Sequence, residues 1–184
     1  MKNMAILVLL FLVLATQAAS QETEIGAELQ VYPTGVVTAV GAKVPLAKKG
    51  RFLTFRIGYN QTNRDDNGER DDERGEGPGV SVGWQRMFSP NNRGWFFGAR
   101  ADLWLLEIDW IDLPGMPGET SGTTDVIVLQ PTGRAGYRLP FGEKQDWSFE
   151  PAVSLGVEWN IDTDGPDVGQ GPILLLGATV SRRF

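Results

Sequence analysis

The segment Leu174-Leu175-Leu176-Gly177-Ala178-Thr179-Val180-Ser181-Arg182-Arg183-Phe184 alternates in character with period two. Successive side chains of a β-strand point to opposite faces, so residues two apart share one. Leu174, Leu176, Ala178, Val180 and Phe184 therefore lie on one face, and Gly177, Thr179, Ser181 and Arg183 on the other. The first face is apolar and ends on an aromatic ring. The second is small and polar. This is the pattern of a strand with lipid on one side and a polar lumen on the other.

The alternation continues upstream, and helical periodicity is absent. It predicts eight strands, at about 24–32, 36–46, 51–62, 80–88, 95–106, 125–140, 147–161 and 172–184. The seventh is the most regular: Trp147, Phe149, Pro151, Val153, Leu155, Val157, Trp159 and Ile161 face one way. The fifth breaks parity, because Leu103 and Leu105 are followed by Leu106, Ile108 and Trp110. A bulge near Leu105, or a strand that leaves the bilayer there and continues above it, accounts for the switch equally well. Short turns at 47–50, 89–94 and 141–146 alternate with long polar loops at about 63–79, 107–124 and 162–171, and Pro33-Thr34-Gly35 is short on the long-loop side. The fold class is thus all-β, an eight-stranded antiparallel up-and-down transmembrane barrel.

A soluble lipocalin-like lipid carrier also alternates, with its apolar face inward. Two features favour the membrane. The polar face is rich in Gly, Ser, Thr and Ala rather than Lys and Glu. Aromatic residues collect at strand ends: Phe52, Phe88, Trp95, Phe141, Trp147 and Phe184 at the short turns, and Tyr59, Trp110 and Trp159 near the long loops. Two such girdles are what the two headgroup layers select.

The inward set predicts a luminal ion network of Arg56, Arg100, Arg134, Arg138 and Arg183 against Glu28, Asp102, Glu150 and Glu158. Arg138 lies across the hairpin from Glu150 if the turn centres on Lys144. Eight strands leave an interior just wide enough for side chains, so a packed network is expected in preference to a narrow ion pore. No cofactor, metal or enzymatic activity is expected. The chain has no His and no Cys, which removes the common nucleophile–base pairs and the usual zinc ligands. The acidic run from Arg64 to Glu76 and the trio Asp162, Asp164 and Asp167 read as solvated loops.

The N-terminus has the parts of a secretory signal: Lys2, an apolar core from Ala5 to Ala15, and Ala18-Ala19-Ser20 before Gln21. The expected division is an export signal at 1–20 and a barrel domain at 21–184. Losing Lys2 takes the formal charge of −6 to −7, which argues against a nucleic-acid partner.

With these residues in view, the chain resembles the small eight-stranded outer-membrane barrels of the OmpA/OmpX class, over residues 21–184. The resemblance rests on architecture and on the last strand. It implies residence in the outer membrane of a Gram-negative bacterium, contact with outer-membrane lipid and lipopolysaccharide, and recognition by the barrel-assembly machinery. The assembly signal it implies is Phe184 with Val180, Ala178 and Leu176; Arg182 departs from the aromatic or apolar residue usual there. A structural role in the envelope, or binding of surface ligands through loops 63–79 and 107–124, is the expected function. A narrow Arg/Glu-lined pore and a soluble lipid carrier are the alternatives.

On this assignment an arginine at Val153 or Leu176 faces acyl chains and costs about 2–4 kcal/mol near the midplane. Arginine at Ser154 or Thr179, facing the lumen, is expected to cost less. Urea unfolding of the variants from lipid vesicles measures the difference.

Overall fold

A computed structural model describes residues 23–65, 70–89 and 91–184; the expected export signal lies outside them. Eight strands follow one another in the chain: β1 (Glu24–Tyr32), β2 (Gly35–Pro45), β3 (Arg51–Asp65), β4 (Asp72–Met87), β5 (Gly94–Asp112), β6 (Thr120–Phe141), β7 (Trp147–Asp164) and β8 (Gly171–Arg183). Each pairs antiparallel with the next. β1 pairs with β8 from Glu24↔Arg183 to Val31↔Leu176, closing the barrel. Closure leaves no sheet edge, so backbone donors and acceptors are satisfied without water, as a bilayer demands. No described helix is long and apolar enough to cross a membrane.

The short turns fall where expected, but the long loops do not. Most of 63–79 and 107–124 is strand, and so is the start of 162–171. β3 and β4 stay in register out to Asp65↔Asp72, and β5 and β6 out to Asp112↔Thr120. Among the described residues of the run from Arg64 to Glu76, Arg64 and Glu73 face inward while Asp65, Arg74 and Glu76 face outward, so the alternation continues along the ladder. Arg64 binds Glu73 at 3.1 Å, and Glu73 is fully buried. The solvated-loop reading is therefore wrong for residues 64–65 and 72–76, which are strand; residues 66–69 lie outside the described residues.

The parity switch in β5 has no bulge behind it. Its registers with β4 and β6 run unbroken past Leu105. Trp95, Leu105 and Ile111 face outward, while Phe96, Arg100, Trp104, Leu106, Ile108 and Trp110 face inward throughout. The strand keeps its geometry, and its surroundings change. From Trp95 to Leu105 the outward face is apolar over about 34 Å of strand at ~3.4 Å per residue. With a tilt near 40° that becomes roughly 26 Å, the height of a barrel's lipid band. Above it the outward residues are Glu107 and Asp109, and the inward ones form a soluble-type apolar core. The one register shift among the described residues lies in β7: Val128 pairs with Asn160 and Ile127 with Asp162, so Ile161 is bulged.

The lipid band carries Leu29, Val40, Ile57, Val82, Val153, Leu155 and Leu176, all strongly exposed. Exposed apolar residues in a continuous belt exclude a soluble barrel, because a water-facing surface would lose that burial energy. Of the expected girdle, Phe88, Trp95, Phe141, Trp147 and Phe184 are outward at the short-turn end, and Tyr59 and Trp159 at the other. Phe52 and Trp110 are not girdle residues. Both are inward and buried, because their strand parity is that of Arg56 and Ile108. Arg182 fits its place better than the sequence suggests. Its guanidinium lies 5.5 Å from the Trp147 ring and 5.4 Å from Phe184, and its Nε donates to Asp146 at 3.2 Å. It sits among girdle rings at the headgroup level, where a cation over aromatic faces is favoured.

Trp104 is the largest fully buried side chain among the described residues. Its indole lies over glycines of the adjacent strand β4 and of β3 beyond it. A Cβ placed on Gly79 would stand 2.1 Å from the Trp104 Cε3, and one on Gly58 3.3 Å from its Cη2. Gly79→Ala must therefore displace the indole and is expected to destabilise by about 1–3 kcal/mol, as overpacking does. Tryptophan fluorescence with urea titration reports both the shift and the loss.

Candidate functional site

The lumen is layered, and the layers come from which inward positions fall at the same height. Nearest the short turns, Glu24 (β1), Lys43 (β2), Arg138 (β6) and Glu150 (β7) converge. Lys43 Nζ donates to both oxygens of Glu150 at 2.6 and 2.7 Å. Arg138 grips Glu24 with two bonds, Nη1 at 2.8 Å and Nη2 at 2.7 Å. Its Nη1 also reaches Glu150 at 3.0 Å, as the hairpin register foretells. The pairs are charge-assisted and nearly dry, the regime in which such bonds are strongest.

A second ionic layer lies above. Arg56 Nη2 donates to Asp102 at 3.0 Å, its Nη1 to Glu28 at 3.1 Å and to Gln30, and its Nε to Ser81 at 2.8 Å. Arg100 Nε donates to Asp102 at 3.0 Å and its Nη1 to Glu28 at 3.2 Å. Arg134 is held more loosely, 3.6 Å from Glu28 and with its guanidinium 5.5 Å from the Phe96 ring centre.

Above the ions the interior turns apolar. Trp104 donates to Gln130 at 2.8 Å and packs in one buried cluster with Val37, Leu106, Ile108, Val126 and Leu175. Val168, from the β7–β8 connection, closes the top of this cluster and is 1% exposed. Its loop is pinned: Gly169 N donates to Glu73 at 2.9 Å, Arg64 Nη1 to the Gly169 carbonyl at 2.9 Å, and Asn160 Nδ2 to the Val168 carbonyl at 2.9 Å. Arg64 also binds Glu158 at 3.0 Å. Arg70 pairs with Asp112 and lies 4.8 Å over Trp110.

The expected single network is therefore three clusters. Arg138 and Glu150 belong to the lowest, and Arg56, Arg100, Asp102 and Arg134 to the middle one. Glu158 lies with Arg64 beyond the apolar core, separated from both. Arg183 is at the short-turn mouth, where Nη2 donates to the Gln145 carbonyl at 3.4 Å. Glu24, Lys43, Gln30 and Arg64 were missed. Glu24 shares parity with Glu28, and Lys43 with Gly41, so alternation alone could have found both. Ser154 also needs correction: it is 1% exposed and sits in register opposite Arg134. An arginine there has no room and meets a like charge, so it is not mild. Thr179 stands between Glu28 and Glu150 and remains the tolerant position.

Outside, just above the lipid band, a row of carboxylates runs straight across four strands. Glu76 pairs with Glu107, Glu107 with Asp125, and Asp125 with Asp164. The β7 bulge sets this last pairing; without Ile161's extra residue, Thr163 would face Asp125. Like charges directly opposite each other are unfavourable in a sheet, so the row costs stability.

The sequence matches no family model and no curated protein. Among solved structures, the N-terminal β-barrel domain of Pseudomonas aeruginosa OprF is similar at 12% identity, over 88% of this chain and 97% of that one, with a TM-score of 0.48. Neisserial surface protein A matches at 10% identity over 89% and 95%, with a TM-score of 0.48. A major outer membrane protein from Thermus thermophilus matches at 14% identity over 88% and 99%, with a TM-score of 0.49. Identity at this level speaks to no shared ligand, partner or role.

Glu150 is the anion on which the lowest layer turns. Glu150→Gln leaves Lys43 without its closest counter-charge and is expected to cost about 3–5 kcal/mol. Changing Lys43 to Met in the same chain is expected to recover part of it. Urea midpoints of the two single variants and the double variant measure the coupling.

Proposed function

We propose that the chain is an integral outer-membrane barrel, non-enzymatic and non-conducting, that holds a stiff acidic extension of its strands at the cell surface. The observation that carries this reading is the outward face of β5, apolar from Trp95 to Leu105 and then acidic at Glu107 and Asp109. A surface that changes solvent along one unbroken strand fits a protein seated in a bilayer with its long-strand end in water. The extension is built, not trailing: its hairpins are paired and its core is packed. An acidic face of this kind selects basic partner surfaces and repels anionic ones. Outer-leaflet lipopolysaccharide is the neighbour the lipid band would meet.

The narrow-pore alternative has an ionic lumen in its favour. Against it stand Trp104 and the cluster up to Val168, which fill the bore above the ions. Dry apolar side chains offer a permeating ion no replacement for its water.

The chain lacks cysteine, so single substitutions can be labelled cleanly. In intact cells, Asp109→Cys should react with a membrane-impermeant maleimide, and Ala101→Cys should not. Labelling of Asp109→Cys only after lysis would reverse the proposed orientation. Purified protein in planar bilayers should give no steady conductance steps; steps abolished by Arg138→Met would restore the pore.

A further inference from the structure

The two ionic layers below Trp104 hold one more positive than negative side chain, and the surplus has an address. In the lowest layer Lys43 and Arg138 balance Glu24 and Glu150. In the middle layer Arg56, Arg100 and Arg134 face only Glu28 and Asp102. Arg56 and Arg100 each hydrogen-bond both carboxylates. Arg134 is left with the 3.6 Å approach to Glu28, although its side chain is only 9% exposed. Its Nε is buried with no hydrogen-bond partner. A cation withdrawn from water and only partly compensated is costly.

Beside it is a cavity of about 50 Å³ between the two ionic layers, lined by four cationic side chains, Arg134 among them, by the carboxylates of Glu24, Glu28 and Glu150, and by Gln85, Ser81 and Thr179. One water needs roughly 10–15 Å³ of such space, so the cavity takes a small ion and a water or two. The hydroxyls of Ser81 and Thr179 and the Arg134 guanidinium can donate to an anion. Gln85 Oε1, also buried and without a partner, can accept from a water that donates its other proton to that anion.

We propose that the lumen binds a monovalent anion of chloride size against Arg134, completing the charge balance of the middle layer. The apolar core closes the path from the long-strand end, so the ion exchanges with solution at the short-turn mouth, past Lys43 and Arg138. This site stands on the lumen alone and does not depend on the surface role proposed above.

Crystals of the detergent-folded barrel grown with bromide in place of chloride should give an anomalous peak within hydrogen-bond reach of Arg134. In solution, urea midpoints should be higher in chloride than in gluconate, too large for the cavity, at equal ionic strength. At chloride a hundredfold above its dissociation constant the folding constant rises about a hundredfold. Arg134→Met should abolish that difference, while Arg182→Met, on the outer face, should keep it. A wild-type crystal with no bromide at Arg134 overturns the proposal and leaves a water-filled cavity. So does a chloride dependence that survives in Arg134→Met. Should that variant fail to fold, the wild-type bromide map decides alone.

Discussion

A β-strand cannot change the face a side chain points to unless a residue is bulged out of the ladder. The strands of this barrel run from lipid into water without such a break until β7, so the chemistry must invert around a fixed geometry. Within the bilayer, Ala101 and Leu105 look out while Arg100 and Asp102 look in. Beyond it, Glu107 and Asp109 look out while Leu106 and Ile108 look in. One sheet thus serves as a membrane barrel at one end and a soluble barrel at the other. Trp104 sits at the junction, donating its indole N–H to Gln130 and turning its rings toward the apolar core.

This constraint explains what could be read from the sequence and what could not. Strands whose outward residues within the bilayer are apolar along their length, such as β7 from Trp147 to Trp159 and β8 from Leu174 to Val180, were legible because alternation and burial agree. β5 was ambiguous because its apolar residues change parity, and a bulge predicts the same string as a change of solvent. Only the register with both neighbours separates the two. The upper hairpin of β3 and β4 was lost to composition, since Arg64 to Glu76 carries the charges and glycines of a loop. Its pairing left a trace all the same: Arg64 and Glu73, and Asp65 and Asp72, stand symmetrically about the turn. The ion pairs were half legible. Arg138–Glu150 follows from a hairpin turn, but Arg138–Glu24 and Lys43–Glu150 cross the bore between strands that share no ladder.

The layered lumen also settles what the loops do. The β7–β8 connection was expected to be a solvated acidic loop. Instead Val168 turns inward, its own carbonyl held by Asn160 and the backbone of Gly169 by Glu73 and Arg64. An apolar core open at its top would meet water there, and one valine with three tethers removes most of that contact. Glu73 accepts from Gly169 as well as from Arg64, so it ties the β3–β4 hairpin to the opposite loop. The acidic extension owes its stiffness to this inward bonding rather than to its outward row of carboxylates, which oppose one another.

Buried ion pairs seldom stabilise a fold more than apolar packing of equal volume does, so their presence in the lower lumen calls for another reason. Lipid supplies it. If the lumen beside the bilayer were apolar, both faces of each strand would suit hydrocarbon. A one-residue slip of β8 against β1 would then exchange Leu176 for Leu175 or Gly177 at little cost. With Glu24 and Glu28 inside on β1, Arg56 on β3 and Arg100 on β5, the corresponding slip of any of those strands turns charges into lipid, and its register becomes unique. Above the bilayer water does that work from outside, through Glu107 and Asp109, and the interior is free to be apolar. The ionic lumen and the acidic rim are therefore the same device on opposite faces of the sheet, each placed where its charges cannot be turned toward the apolar side.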